Sequence, residues 1–264
     1  MVKTGLYQRL DTAAAVLRDA YSRGPIPPLR NTVAPNDGNA AYEIQAINTA
    51  HWLAHGRVKV GHKIRLTSKA VQLALGVSQP EFGVLFEDMR IGDRGSLPQG
   101  LLLQPKVEGE MAVRFRTDLT ERALSPSIVR AAIEGAAPAI EVVGSRIADW
   151  QSTFADTVAD NGSYFVIGDT FQPLVDLDLF PCGMVLELNG EVVSTGAGAA
   201  CLGNPLNGAT WLAQALAARI TPIQAGDIVL TGARGSMVAL RAGDTVRVTI
   251  GGLGSVGFSC KGNS

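Results

Sequence analysis

Hydrophobic and polar positions follow two different periods along the chain. Near the N-terminus, apolar residues recur every three or four positions in the stretch 6–21, "LYQRLDTAAAVLRDAY", and again in 40–57, "AAYEIQAINTAHWLAHGR". This spacing collects apolar side chains on one face and predicts two amphipathic helices. The segment 23–38 between them is rich in Pro and Gly, which predicts an irregular connection.

After about residue 58 the period changes to two. Short runs of alternating Val, Ile and Leu, separated by Gly, Pro, Asn and Asp, are typical of strands. The Asn189-Gly190 pair between two such runs predicts a tight hairpin. Two more helices are predicted, at 127–136 and 205–220. The pattern therefore predicts an α+β protein, with a small helical N-terminal region, residues 1–58, and a β-rich domain, residues 59–264.

Composition narrows the class of protein. The formal net charge is -1, which offers no basic field to attract nucleic acid or an anionic membrane. No stretch is apolar for long enough to cross a bilayer, and the N-terminus lacks the pattern of a signal peptide. The three cysteines have no metal-ligand spacing, which suggests reduced thiols. We expect a soluble cytoplasmic protein with no nucleic-acid or membrane partner.

Glutamates interrupt the apolar pattern of the predicted strands. In "KVEGEMAVRF", Glu108 and Glu110 are two positions apart, so a strand points both carboxylates to the same face. Like charges that close repel unless a cation, a proton or bulk water lies between them. Glu141, in "APAIEVVGSR", lies among Ala, Ile and Val, where burying a lone ionised carboxylate is costly.

These three carboxylates admit two interpretations. In the first, oxygen ligands in apolar surroundings bind a hard divalent cation such as Mg²⁺ or Mn²⁺. In the second, the pair Glu108 and Glu110 lies on a solvated strand face, and Glu141 forms an ion pair with Arg146 or another arginine. The spacing of the residues leaves both interpretations open.

The segment "GHKIRLTS" adds a candidate cation. Alternation along a strand points Lys63 and Arg65 to one face, and His62 and Ile64 to the other. A buried Lys63 would serve as an acid or base or bind a carboxylate, whereas a surface Lys63 would have no such role. We interpret His62 as a packing residue. The Gly-rich segment "TGAGAACLGNP" lacks the lysine of a phosphate-binding loop.

Several longer segments together resemble a known family. They occur in one order between about residues 40 and 258, and read "GHKIRLTSKAVQLALGVSQPEFGVLFEDM", "QPKVEGEMAVRF", "PAIEVVGSRIADW", "DTVADN", "CLGNPLNGATWLAQ", "GDIVLTGA" and "GGLGSV". The chain resembles the 2-keto-4-pentenoate hydratase and 4-oxalocrotonate decarboxylase family of the fumarylacetoacetase-like superfamily. The resemblance implies a distorted, rolled mixed β-sheet or barrel core with outer helices. It also implies that a divalent metal, Mg²⁺ or Mn²⁺, is held by Glu108, Glu110 and Glu141.

The resemblance also implies an activity. We expect a metal-dependent hydratase that adds water to 2-hydroxypenta-2,4-dienoate, giving 4-hydroxy-2-oxopentanoate, in the meta-cleavage degradation of aromatic compounds. Matching positions nominate Lys63, Asp88 and Ser163 as catalytic residues, and Thr231 and Gly232 as binding residues for the substrate carboxylate. The resemblance further implies a homo-oligomer and an association with a neighbouring pathway enzyme.

Two departures from the family pattern affect the roles of individual residues. Arg65 stands where the family usually has glycine, as in "KIGLTS", and would either bind a second carboxylate on a diacid substrate or turn outward. The segment "DNGSYFVIG" is about two residues shorter than in the family, which weakens the assignment of Ser163.

Other activities fit the same motifs. The segment "DIVLTGARGSMVAL" resembles the hydratase form more than the decarboxylase form. The alternatives are decarboxylation of 2-oxohex-3-enedioate, hydration of a longer diacid, and hydrolysis of an acylpyruvate. A non-catalytic subunit that supports a partner enzyme is the non-enzymatic alternative, although Lys63 and the three glutamates are all present.

Overall fold

The computed structural model describes residues 2–120, 123–175 and 177–262. Within these ranges the α-helices are α1 (Val2–Arg23), α2 (Gly38–Ala54), α3 (Lys69–Ala74), α4 (Pro126–Ala132), α5 (Phe154–Ala159) and α6 (Pro205–Ala218). The strands are β1 (Lys59–Arg65), β2 (Glu81–Phe86), β3 (Arg90–Ile91), β4 (Gly95–Leu97), β5 (Lys106–Phe115), β6 (Ile133–Val143), β7 (Ser163–Ile167), β8 (Gly183–Leu188), β9 (Glu191–Ala197), β10 (Ile228–Leu230), β11 (Val238–Ala239), β12 (Thr245–Ile250) and β13 (Gly254–Cys260). None of the described helices combines the length and the apolar composition that a membrane-crossing helix requires.

Both predicted N-terminal helices are present. The side chain of Asp37 accepts a hydrogen bond from Ala40 N and so caps the start of α2. Helices α1 and α2 bury their apolar faces against α5, in a cluster that contains Leu17, Ile44 and Phe154. The helical segment therefore packs onto the β-rich part of the chain, and the first strand begins at Lys59.

The strands form two sheets of mixed direction. The larger sheet has the order β2-β1-β10-β5-β6-β7-β3, with β11 paired to β5, and the smaller has the order β4-β13-β12-β8-β9. The pairs β1–β10, β3–β7 and β4–β13 are parallel and the others are antiparallel. The larger sheet curls into a half-barrel, which confirms the predicted α+β class with a rolled mixed sheet.

The predicted hairpin is confirmed, and one predicted helix is wrong in part. Strands β8 and β9 meet at Asn189-Gly190, where φ is 55° and 85°, as a two-residue hairpin loop of this kind requires. The predicted helix over 127–136 ends at Ala132, because from Ile133 onward the chain pairs with β5. Pairing across the sheet outweighs the local helical pattern there.

Strands β5 and β6 form the centre of the larger sheet. Val107, Met111 and Val113 point from β5 into the main hydrophobic core. Glu108 and Glu110 point to the opposite, concave face, and Glu108 lies directly across from Glu141 on β6. Register therefore brings together two carboxylates that are far apart in sequence.

Candidate active site

Three buried glutamates meet on the concave face of the half-barrel. Glu108, Glu110 and Glu141, here called the glutamate triad, each offer a carboxylate oxygen within 4.8 Å of the others. Glu108 is 7% exposed, and the other two side chains are fully buried. The solvated-face interpretation is therefore wrong. The proposed pairing of Glu141 with Arg146 is also wrong, because Arg146 Nε donates to Asp160 Oδ1 at 2.6 Å.

The electrostatics of the triad favour a bound cation. Burial and the charge of Glu141 raise the pKa of Glu108 to about 8 and raise the pKa of Glu110 well above its usual value. Gly232 N donates to Glu110 Oε2 at 2.9 Å, yet no described residue donates to Glu110 Oε1 or to Glu141 Oε2. Buried carboxylate oxygens without donors, aimed at one another, fit a hard divalent cation.

Lys63 is fully buried beside the triad. Its Nζ donates to Glu141 Oε1 at 2.5 Å, so the surface interpretation of this lysine is wrong. Gly83, directly opposite on β2, leaves room for the Lys63 side chain. His62 points to the other face and packs edge-on against Phe82. Burial lowers the pKa of His62 to about 3, which is consistent with a neutral packing residue.

The absence of a side chain at Gly83 is a structural requirement. A Cβ at this position would lie 1.8 Å from Asn161 Oδ1 and 3.1 Å from Lys63 Cε. Asn161 is held in place because its Nδ2 donates to Val84 O at 2.8 Å.

We therefore expect Gly83→Ala to lower the free energy of unfolding by about 1–3 kcal/mol, the usual cost of overpacking a buried site. Urea denaturation measures this change. The control is Gly183→Ala at an exposed position where a Cβ meets nothing within 4 Å, so its stability should stay within about 0.5 kcal/mol of the original. Equal stabilities of the two variants would contradict the expected clash.

Arg65 and Glu81 form an ion pair next to Lys63. They are opposite residues of β1 and β2, and Arg65 Nε lies 3.2 Å from Glu81 Oε1. Arg65 Nη1 also donates to Thr157 O and Asp160 O, each at 3.3 Å. Glu81 is fully buried, and neither of its oxygens accepts an aligned hydrogen bond from the described residues.

Glu81 is a site residue that the sequence analysis missed. The available signal was a single acid in the apolar run "PEFGVLF", and the antiparallel pairing of β1 with β2 places this acid opposite Arg65. The residue nominated instead, Asp88, lies elsewhere. Its side chain is 57% exposed and accepts hydrogen bonds from Arg57 at the surface, so the structure does not bring Asp88 to the triad.

The other nominated residues lie near the triad. Ser163 is buried at the start of β7, and no described residue hydrogen-bonds to its Oγ. Its partner across the sheet, Val143, is two positions from Glu141 and points to the same face. Thr231 is buried and its Oγ1 donates to Met111 O at 3.0 Å. The backbone of Gly232, with φ of 102°, donates to Glu110 as described above.

A cleft of about 420 Å³ leads to this cluster. Arg65 and Glu108 both line the cleft, so the ion pair and the triad border the same space. Its other wall comes from Ala233, Arg234 and Gly235, which follow Thr231 and Gly232 in the segment after β10. The size suits a small organic acid.

Comparison with known proteins identifies relatives over almost the whole chain. Residues 57–259 match the family model described as "Fumarylacetoacetate (FAA) hydrolase C-terminal". "2-keto-4-pentenoate hydratase 2" of Dechloromonas aromatica (strain RCB) is 51% identical over 257 residues, covering 96% of this chain and 98% of that protein. "2-keto-4-pentenoate hydratase" of Paraburkholderia phymatum is 49% identical, covering 94% of this chain and 96% of that protein.

A solved structure of a related enzyme has the same fold. The 4-oxalocrotonate decarboxylase from Pseudomonas putida G7, complexed with magnesium and adipate, superposes with a TM-score of 0.91 at 33% identity, covering 96% of this chain and 97% of that one. This agreement confirms the predicted fold type. Family model, hydratase relatives and fold agree, and the chain therefore belongs to the fumarylacetoacetate hydrolase family, in the branch that contains the 2-keto-4-pentenoate hydratases.

Proposed function

We propose that this protein is a metal-dependent hydro-lyase that adds water to 2-hydroxypenta-2,4-dienoate and produces 4-hydroxy-2-oxopentanoate. The observation that carries the proposal is the buried glutamate triad with Lys63 paired to it, in a chain about half identical to named hydratases. A second candidate, decarboxylation of 2-oxohex-3-enedioate, is supported by the similarity to the decarboxylase from Pseudomonas putida G7.

The glutamate triad is proposed to hold one Mg²⁺ or Mn²⁺ ion. When bound there, the ion would act as a Lewis acid toward the carboxylate and C2 oxygens of the substrate. The chain orients two of the three ligands itself, since Gly232 N holds Glu110 and Lys63 Nζ holds Glu141. Thr231 has an indirect role in this proposal, because its hydrogen bond to Met111 O fixes the backbone next to Gly232.

The reaction needs several proton movements. The proton of the C2 hydroxyl is lost while C5 gains one, and water then adds its hydroxyl group to C4 and its remaining proton to C3. We assign the proton donor to Lys63 Nζ, which is buried and donates a hydrogen bond to Glu141 Oε1. We assign the acceptor to Glu81, whose Oε2 is buried and accepts no hydrogen bond from the described residues. Asp88 has no role in this proposal.

The surroundings of these groups limit access of other water molecules. Leu230 lies directly across from Lys63, and Phe165 lies directly across from Glu141, both on the concave face and both fully buried. Excluding bulk water strengthens the electrostatic interactions inside the site. Ser163 Oγ is proposed to hydrogen-bond to the substrate or to the reacting water. Homo-oligomerisation, association with a neighbouring pathway enzyme, and the division at residues 58 and 59 stay predictions.

The test is a paired ultraviolet assay of the purified protein with Mg²⁺. One sample contains 2-hydroxypenta-2,4-dienoate and the other contains 2-oxohex-3-enedioate. We expect loss of the dienoate only. A chelator should remove the activity and Mg²⁺ or Mn²⁺ should restore it, because ketonisation and the addition of water are both proposed to depend on the ion held by the triad. Turnover of the diacid alone would instead establish the decarboxylase, and unchanged activity after chelation would contradict the metal site.

A further inference from the structure

Arg65 is a largely buried cation, and the anion that balances its charge is a residue of the protein itself. Its side chain is 12% exposed, and a guanidinium stays protonated in proteins, so burial requires an anion nearby. Glu81 provides it, at 3.2 Å and with its own side chain fully buried. The register of β1 and β2 fixes this contact, because the two residues are direct partners across the strands.

The pair lies beside the substrate cleft. Arg65 lines the cleft together with Glu108, and it shares the concave face with Lys63, two positions earlier on β1. Two of its nitrogens, Nε and Nη1, face Glu81 and backbone carbonyl oxygens. A second substrate carboxylate that approached Arg65 would therefore meet a guanidinium that is already paired, with the carboxylate of Glu81 3.2 Å from its Nε.

From this arrangement we propose that the Arg65–Glu81 ion pair is a specificity determinant that restricts the cleft to 2-oxo acids with a single carboxylate. The inference rests on the proposed function, and it names the substrate class of the same site. Glu81 occupies the electrostatic position that the second carboxylate of a diacid would otherwise take. Diacids would be excluded because the negative charge of Glu81 repels their second carboxylate, and such repulsion of the wrong ligand is a common source of specificity.

Ligand binding tests the inference without turnover. Calorimetry would measure the affinities of 2-oxopentanoate and 2-oxohexanedioate for the Mg²⁺-loaded protein. We expect the original protein to prefer the monoacid by about tenfold or more, the factor that corresponds to one charge-assisted contact. In Glu81→Gln, the freed Arg65 should improve binding of the diacid by about tenfold, while binding of the monoacid changes little.

Two further variants complete the test. In the double variant Arg65→Gln with Glu81→Gln, the gain for the diacid should disappear and the affinities for the two acids should become similar. Because it leaves no buried charge unpaired, this variant tests the inference even where Glu81→Gln alone does not fold. Glu134→Gln, which breaks the surface pair with Arg114, should leave the original preference unchanged.

The outcomes separate the two proposals. Equal affinities for both acids in the original protein, or the original preference retained in the double variant, would overturn the role of the ion pair. Dienoate hydration in the ultraviolet assay would still support the proposed function in that case. If neither acid bound to the Mg²⁺-loaded protein, the role of the ion pair would be overturned, and the ultraviolet assay would decide the proposed function separately.

Discussion

Exchange of Glu110 for glutamine is expected to abolish hydration and to weaken Mn²⁺ binding strongly. Glu110 is fully buried within the glutamate triad, and its Oε1 has no hydrogen-bond donor among the described residues. Removing one ligand charge should cost more than the roughly 10–100-fold in metal affinity typical of losing a residue that only supports a ligand. Electron paramagnetic resonance of Mn²⁺ titrations measures the affinity directly.

The same substitution should stabilise the metal-free protein. Without a cation, the buried carboxylates repel one another, and the neutral amide removes part of that repulsion while still accepting from Gly232 N. A gain of about 1 kcal/mol would raise the melting temperature by roughly 2–4 °C in a chain of this size. Glu134→Gln, on the same strand as Glu141 but exposed, is the control and should change neither property. Unchanged Mn²⁺ affinity in Glu110→Gln would contradict the assignment of this ligand.

Replacement of Lys63 by methionine is expected to lower kcat by about 10²–10⁴-fold, the usual contribution of a positioned acid or base. Metal binding should persist, because the three glutamates remain. The metal-free protein should become less stable, since Glu141 loses the Nζ donor at 2.5 Å in a fully buried setting. Stopped-flow ultraviolet kinetics and thermal melts, with and without Mn²⁺, separate these effects.

Lys59→Met is the matched control for Lys63. Lys59 begins the same strand, its side chain is 28% exposed, and its contact with Asp227 is long, at 4.0 Å. A surface pair of this kind contributes about 1 kcal/mol or less, so the control should retain its kcat. Loss of Mn²⁺ binding in Lys63→Met, or a kcat equal to that of the control, would contradict the role of Lys63 as proton donor.

The sequence predicted that Glu108 and Glu110 share a face, because strand alternation is a local property. Two glutamates two positions apart must share a face of a strand, whatever the rest of the fold does. The distance between Glu108 and Glu141 is not a local property, because it depends on the register of β5 against β6. Only the family resemblance supplied that link at the sequence level, and the structure then gave the distance and the burial.

Glu81 was missed for the same physical reason. Its importance lies in its partner across the strands, Arg65, and not in its neighbours along the chain. Helix α3 and a turn separate the two strands, so no simple hairpin rule gives their register. Asp88 was selected from a motif instead, and the structure places it outside the half-barrel, next to Arg57.

In the helix predicted over 127–136, strand pairing overrides the local sequence pattern after Ala132. Its first turns form α4, with Ser125 as the N-cap residue. The Gly- and Ala-rich segment that follows carries little information about helix or strand by itself. Pairing with β5 on one side and β7 on the other determines its structure.

We propose that one divalent ion held by the glutamate triad supports the hydration. The most direct test measures hydration rate and bound Mn²⁺ on the same samples, as metal-depleted protein is titrated. We expect the rate to rise in proportion to bound Mn²⁺ and to level off at one ion per chain. Full activity in the metal-depleted protein, or a rate that does not follow the bound ion, would contradict it.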